Sequence, residues 1–165
     1  MNRTTYNLMG IPSGKAGVIA TLKIMRRLVR RYKMDPTIRE LALRQVRSLP
    51  DQNFTSEANA LFKFVRDRIR YVKDINGVET IHTPIELLKR GQGDCDDQSI
   101  LLASLLESIG HPTAFEAVGF IPEHFSHVFV KTKIGNKWVS MDPIKTNWPM
   151  GKSAPNIVTR YTLRN

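Results

Sequence analysis

The sequence of 165 residues contains one cysteine, no long apolar run, and no internal repeat or low-complexity tract. A single cysteine permits no intrachain disulfide, and it cannot supply the paired thiolates, such as C-x2-C, of multi-cysteine zinc sites. No apolar stretch approaches the ~18 residues that a membrane span requires, and the opening MNRTTYNLMGIPSGK lacks the apolar core of a signal peptide. These absences point to a soluble protein of a reducing compartment with no membrane partner. The length suffices for one domain whose core needs no crosslinks.

Acidic residues are scarce in one half only. Residues 1–75 hold 16 Lys/Arg against 6 Asp/Glu, whereas residues 76–165 hold 9 of each, so the net charge of +10 belongs wholly to the first half. The asymmetry predicts a basic helical lead-in over residues 1–50, facing an anionic partner or packed into an assembly, and a second region over 51–165.

What is present reads first as helices. After an arm containing Gly and Pro at residues 9–17, Val18, Leu22, Met25, Val29 and Tyr32 recur at spacings of four and three, which aligns them on one helix face. Arg26, Arg27, Arg30 and Arg31 fall mostly off that stripe. Asp35-Pro36 is a helix start leading Ile38, Leu41, Ala42 and Val46 along a second face, closed by Leu49-Pro50. A third helix is expected from near Ser56, carrying Leu61, Phe62, Val65, Ile69 and Val72 and ending at an Asn76-Gly77 turn. Thr83-Pro84-Ile85-Glu86 has capping-box spacing, so a short helix should run to Arg90 and stop at Gly91. From Cys95 the run DDQSILLASLLESIG is apolar nearly all round, as a buried central helix would be. Beyond it, residues 114–118, 127–133 and 137–141 are short and rich in β-branched and aromatic types, the last two joined through Gly135-Asn136. The expected architecture is α+β, an antiparallel sheet packed on the Cys95 helix. The tail from Trp148 onward gives no firm assignment.

The chemistry concentrates in GQGDCDDQSI, residues 91–100. Cys95 is flanked by Asp94, Asp96 and Asp97, and a thiol reacts only as thiolate, which neighbouring carboxylates oppose. With Asp94 as N-cap, the acids gain a role as helix-start residues, where unpaired N–H groups and the macrodipole favour negative charge. The cysteine profits from the same place, but only a histidine from elsewhere would make it a nucleophile. His127 opens one expected strand and Asp142 ends the next. A hairpin turning at Gly135-Asn136 brings those two positions together, giving nucleophile, base and orienting carboxylate in the order Cys95, His127, Asp142. Taken singly, each of the three is more often structural than catalytic; one geometry explains all three.

The stretches GDCDDQSILLASLLESIGHPTAF, SHVFV and KWVSMDP, in this order and spacing, resemble the core of transglutaminase-like cysteine enzymes, particularly the small ones of tailed phages and prophages. The similarity spans roughly residues 56–143, and IPSGKAGVIATLKIMRRLVRRYKMDPTIRELA resembles the helical lead-in of the phage proteins more loosely. The resemblance implies a papain-like fold with 51–165 as catalytic domain, acting on a protein or peptide in the cytoplasm of a bacterial host or in a virion. It also implies that Cys95 attacks a carboxamide or peptide carbonyl, His127 moves the proton, Asp142 orients His127, and a thioester is resolved by water or an amine, with no cofactor. Hydrolysis, deamidation and cross-linking all share that triad. The oxyanion would be held by the Cys95 N–H and a second donor, for which Gln92 is a candidate, with Asp96 as a supporting residue.

Three rivals accompany this reading. His124 and His127 form an H-x2-H pair that a metal could use with Asp142 or the Asp94/Asp96/Asp97 group. Gly151-Lys152-Ser153 ends like a phosphate-binding loop, but Thr146 stands where the first glycine belongs. The basic lead-in could itself be the functional part, binding nucleic acid through phosphate contacts alone or a structural partner in a virion, on an inactive scaffold.

Overall fold

The computed structural model describes residues 5–8, 10–74 and 80–165. Its elements in chain order are β1 (Thr5–Asn7), α1 (Gly14–Tyr32), α2 (Pro36–Val46), α3 (Phe54–Arg68), β2 (Arg70–Tyr71), β3 (Thr80–His82), α4 (Pro84–Arg90), β4 (Gln92–Gly93), α5 (Cys95–Ser108), β5 (Thr113–Gly119), β6 (His127–Ile134), β7 (Lys137–Met141) and β8 (Thr159–Arg164).

The helix starts follow the local chemistry. Asp35 accepts the N–H groups of Thr37 and Ile38 ahead of α2, Thr83 accepts Glu86 N–H ahead of α4, and Asp94 accepts Asp97 N–H ahead of α5. Each such cap is worth about 1 kcal/mol. α4 ends at Gly91, whose φ of +65 lets the chain reverse directly into β4.

α5 is the hub. Eleven of its fourteen residues are buried, and α1, α2, α3 and α4 pack on it together with β5 and β6. The α1 stripe behaves as its spacing predicts: Leu22, Met25, Val29 and Tyr32 are buried, joined by Leu28, in the same hydrophobic cluster as Leu101, Leu102 and Leu105 of α5. Val18 is partly buried against it. Arg27, Arg30 and Arg31 are exposed, and Arg26 is half-buried, with Nη1 donating to the Arg164 carbonyl at 3.5 Å. The lead-in helices and the Cys95 helix therefore share one core.

The main sheet is antiparallel in the order β7-β6-β5-β8. β5, at its centre, is buried along its whole length. Phe115 and Ala117, paired with Val130 and Val128, belong to the cluster around α5. Glu116 points the other way, buried, and its charge is closed by ion pairs with Lys131 and Arg160. β6 and β7 turn through Gly135-Asn136, with Ile134 opposite Lys137.

Three features go beyond or depart from the reading of the sequence, and a fourth expectation is not reached by the described residues. α3 stops at Arg68, so Val72 is not on its apolar face; Ile69 turns to φ −107, ψ 113, and Arg70–Tyr71 pairs in parallel with Gln92–Gly93. The chain gives up a helical turn to tie its backbone to the segment before Cys95, with Arg70 N–H to Gly91 O at 2.9 Å and Val72 N–H to Gly93 O at 3.0 Å. The tail supplies β8, and Thr5–Asn7 pairs with Thr80–His82. Finally, the Asn76-Gly77 turn lies outside the described residues.

Candidate active site

Cys95 is the first residue of α5, with Asp94 as N-cap and the two further acids, Asp96 and Asp97, in the first turn. The local sequence favours this start: Asp94 is extended, its carboxylate caps the first turn, and the apolar run that buries the helix begins at Ile100. Gly93 is held by proximity, since a Cβ there would lie 2.6 Å from Leu87 Cδ1 and 2.7 Å from Asp97 Oδ2. Any side chain would push β4 away from the helix start.

The three acids divide the work. Asp97 is buried and turned away from the thiol: its Oδ1 accepts His82 N–H at 2.7 Å and its Oδ2 meets His82 Nδ1 at 2.9 Å, locking β3 to α5. Asp94 is the cap, and burial, then the charges of Asp96 and Asp97, push its carboxyl up to about 8. Asp96 faces the nucleophile, with Cys95 Sγ donating to its Oδ1 at 3.6 Å. Burial, followed by the charges of Asp96 and Asp94, holds the thiol well above its ordinary range; a hydrogen bond from Val128 N–H pulls the other way. The resting cysteine is therefore a thiol, and its sulfur sits against the first residues of β6.

His127 opens β6, fixed by the Ser126 N–H to Val118 O bond at 2.9 Å in the β5–β6 connection. Asp142 follows β7. Its Oδ2 meets His127 Nε2 at 2.7 Å, and both side chains are nearly buried, at 10% and 3% exposure. With Nε2 committed to the carboxylate, Nδ1 is the ring nitrogen left for a thiol proton. Cys95 and His127 line one cavity of about 490 Å³ together with Asp94 and Asp96. One wall of it is the lead-in: Ile11, Pro12 and Ser13, then Val18, Leu22 and Met25 of α1.

The core of the Transglutaminase-like superfamily matches residues 39–143, a span that contains Cys95, His127 and Asp142. The chain belongs to the transglutaminase-like superfamily. Among curated proteins no match is found. Among solved structures, a candidate cysteine protease from Cytophaga hutchinsonii is similar at a TM-score of 0.56 and 15% identity, over 86% of this chain and 52% of that one. A candidate protease from Parabacteroides distasonis gives 0.58 and 15%, over 84% and 27%. Legionella pneumophila LapG gives 0.52 and 15%, over 85% and 83%. The chain thus spans about half, or less, of the first two. At these identities the likeness is one of fold, the transglutaminase-like and papain-like arrangement of a helix on an antiparallel sheet.

Within this transglutaminase-like fold, Gln92 does not take the place expected of it. It lies in β4 with Oε1 accepting from Arg70 Nη2 at 2.5 Å, and its side chain is not among those lining the Cys95 cavity. The parallel β2–β4 pairing sets its direction. Tyr71 is the residue the sequence did not announce. It lines the cavity, and its hydroxyl is pushed up by burial and then by the charges of Cys95, Asp94, Asp96 and Asp142. Placing it requires the β2–β4 pairing; no sequence spacing carries it. As for a metal, among the described residues no group of three or more His, Cys, Asp or Glu is arranged to hold one. His124 lies in the turn bridged to Ile121, and His127 is engaged by Asp142.

Proposed function

We propose that this protein is a thiol-dependent enzyme that cleaves amide bonds of a protein or peptide through Cys95, His127 and Asp142. The observation that carries the reading is the short His127–Asp142 bond beside a cavity that the Cys95 thiol shares. Cys95 Sγ adds to the substrate carbonyl carbon as its proton passes to His127 Nδ1. The carbonyl oxygen becomes an oxyanion facing the Cys95 N–H, a helix-start donor with no acceptor inside its own helix. The C–N bond then breaks, His127 returns the proton to the leaving nitrogen, and a thioester remains. Water adds to the thioester, giving a proton to His127, and the acid and free thiol are released. Asp142 holds the imidazole tautomer and stabilises its cation. The acid-held thiol makes deprotonation by His127, concerted with attack, the step that starts the cycle.

The phage or prophage setting belongs to this proposal and rests on the resemblance of the lead-in and triad stretches. A second reading, a catalytically silent interaction protein of a virion, draws on the raised thiol. One experiment separates the two: iodoacetamide alkylation of Cys95 followed by intact mass across pH, for wild type and His127→Ala. The enzyme reading expects alkylation at pH 7.5 to slow at least about tenfold in the variant. Equal rates support the silent reading.

A further inference from the structure

A second cavity, of about 420 Å³, is also lined by His127. The two cavities share Tyr71, Ser126 and His127, whereas Cys95 lines only the first. The walls of the second are Phe120, Ile144, Trp148, Ala154 and Pro155 with Lys145, and among the described residues no carboxylate lines it.

The same backbone that presents the catalytic pair builds these walls. Phe120 belongs to the β5–β6 connection that delivers His127, and Ile144, Lys145 and Trp148 follow directly from Asp142-Pro143. Trp148 is pinned: its N–H donates to Lys145 O at 2.9 Å, and its own carbonyl accepts from Arg66 Nη1 at 3.4 Å. The ammonium groups of Lys145 and Lys152 sit 5.8 and 4.9 Å from its ring centroid. Phe120, Ile121 and Val158, 45%, 63% and 59% exposed, extend the apolar surface outward.

The reaction gives the two cavities a direction. The acyl carbon must reach Sγ, and the nitrogen that departs must take its proton from His127. What is attached to that nitrogen therefore extends past His127, away from Cys95. We infer that the second cavity is the leaving-group subsite and takes a large apolar side chain of the residue that follows the scissile bond, so that the reaction is peptide-bond cleavage. Ammonia, the product of deamidation, would leave these walls unused. A lysine or arginine side chain would meet Lys145 with no carboxylate to offset it. The inference rests on the triad of the proposed function and narrows it.

The test is digestion of a proteome-derived peptide library by the full chain, with cleavage sites mapped by mass spectrometry. Phe, Leu, Ile, Met, Trp and Tyr should exceed Lys, Arg and Asp after the cut bond by about tenfold or more. Trp148→Ala and, independently, Ile144→Ala should flatten that preference. Met34→Ala, in the exposed turn beyond α1, should keep it. A wild type with His127-dependent alkylation that cuts without leaving-side preference overturns the subsite and leaves the triad standing. So does one that cuts nothing in the library or only releases ammonia from carboxamides. Alkylation of Cys95 independent of His127 overturns both.

Discussion

Replacing Asp96 by asparagine removes a unit charge whose oxygen lies 3.6 Å from the Cys95 sulfur. Coulomb's law puts the repulsion between that carboxylate and a thiolate at about 1 kcal/mol if the gap behaves as water and about 5 kcal/mol at an effective dielectric of 20. Cys95 and Asp96 both keep partial contact with solvent, and the carboxamide oxygen of the substituted side chain can still accept the S–H, so the lower part of this range applies. A fall of one to two units in the thiol pKa follows, at about 1.4 kcal/mol per unit. Below the thiol pKa this means roughly ten to a hundred times more thiolate at any given pH. Because the chain has a single cysteine, alkylation by iodoacetamide yields one adduct, and its rate against pH reads the thiolate directly. The profile for Asp96→Asn should shift to lower pH, with a loss of stability of no more than about 1 kcal/mol from the missing helix-start charge. A profile that stays put or moves to higher pH would refute the claim that Asp96 holds the thiol in its resting form.

Asp142→Asn should reduce turnover less than Cys95→Ser or His127→Ala, since it disturbs tautomer and orientation but keeps nucleophile and base; steady-state kinetics on one peptide substrate compare the three. Asp97→Ala strands the His82 N–H and ring in the interior, costing about 3 kcal/mol, which a thermal melt should show as a drop near 10 °C. The Asp94 carboxyl is raised in the folded state to about 8 from an ordinary 3.8. Its neutral form is thus the one the fold favours, and the stability it contributes is present at low pH and lost as pH rises through that window. Asp94→Asn, still a capping residue, should therefore gain in melting temperature over wild type progressively from pH 5 to pH 8.5. Met25→Ala opens a cavity between α1 and α5 and should cost about 2–5 kcal/mol by denaturant unfolding, as expected if the lead-in belongs to the core.

The sequence by itself determined what depends on near neighbours. Asp35-Pro36, Thr83 with Glu86, and Asp94 before an apolar run each name a helix start, because a cap is a bond between residues two or three apart. The Gly135-Asn136 hairpin followed from alternation and turn chemistry, and it alone was enough to bring His127 to Asp142. Tertiary structure decided what depends on distant backbone. Tyr71 reaches the site, and Gln92 misses it, because two short strands 22 residues apart pair in parallel, and no local periodicity encodes a two-residue strand. Asp97 looked like one more acid beside the cysteine until His82, 15 residues earlier, took both of its oxygens. The arm at residues 11–13 read only as a Gly/Pro-containing connection; it becomes a wall of the cleft because the α1 stripe docks on α5 and carries it there. Burial, which sets the thiol and the Asp94 carboxyl, is likewise a property of what the whole chain packs around them, and a list of neighbours along the sequence cannot supply it.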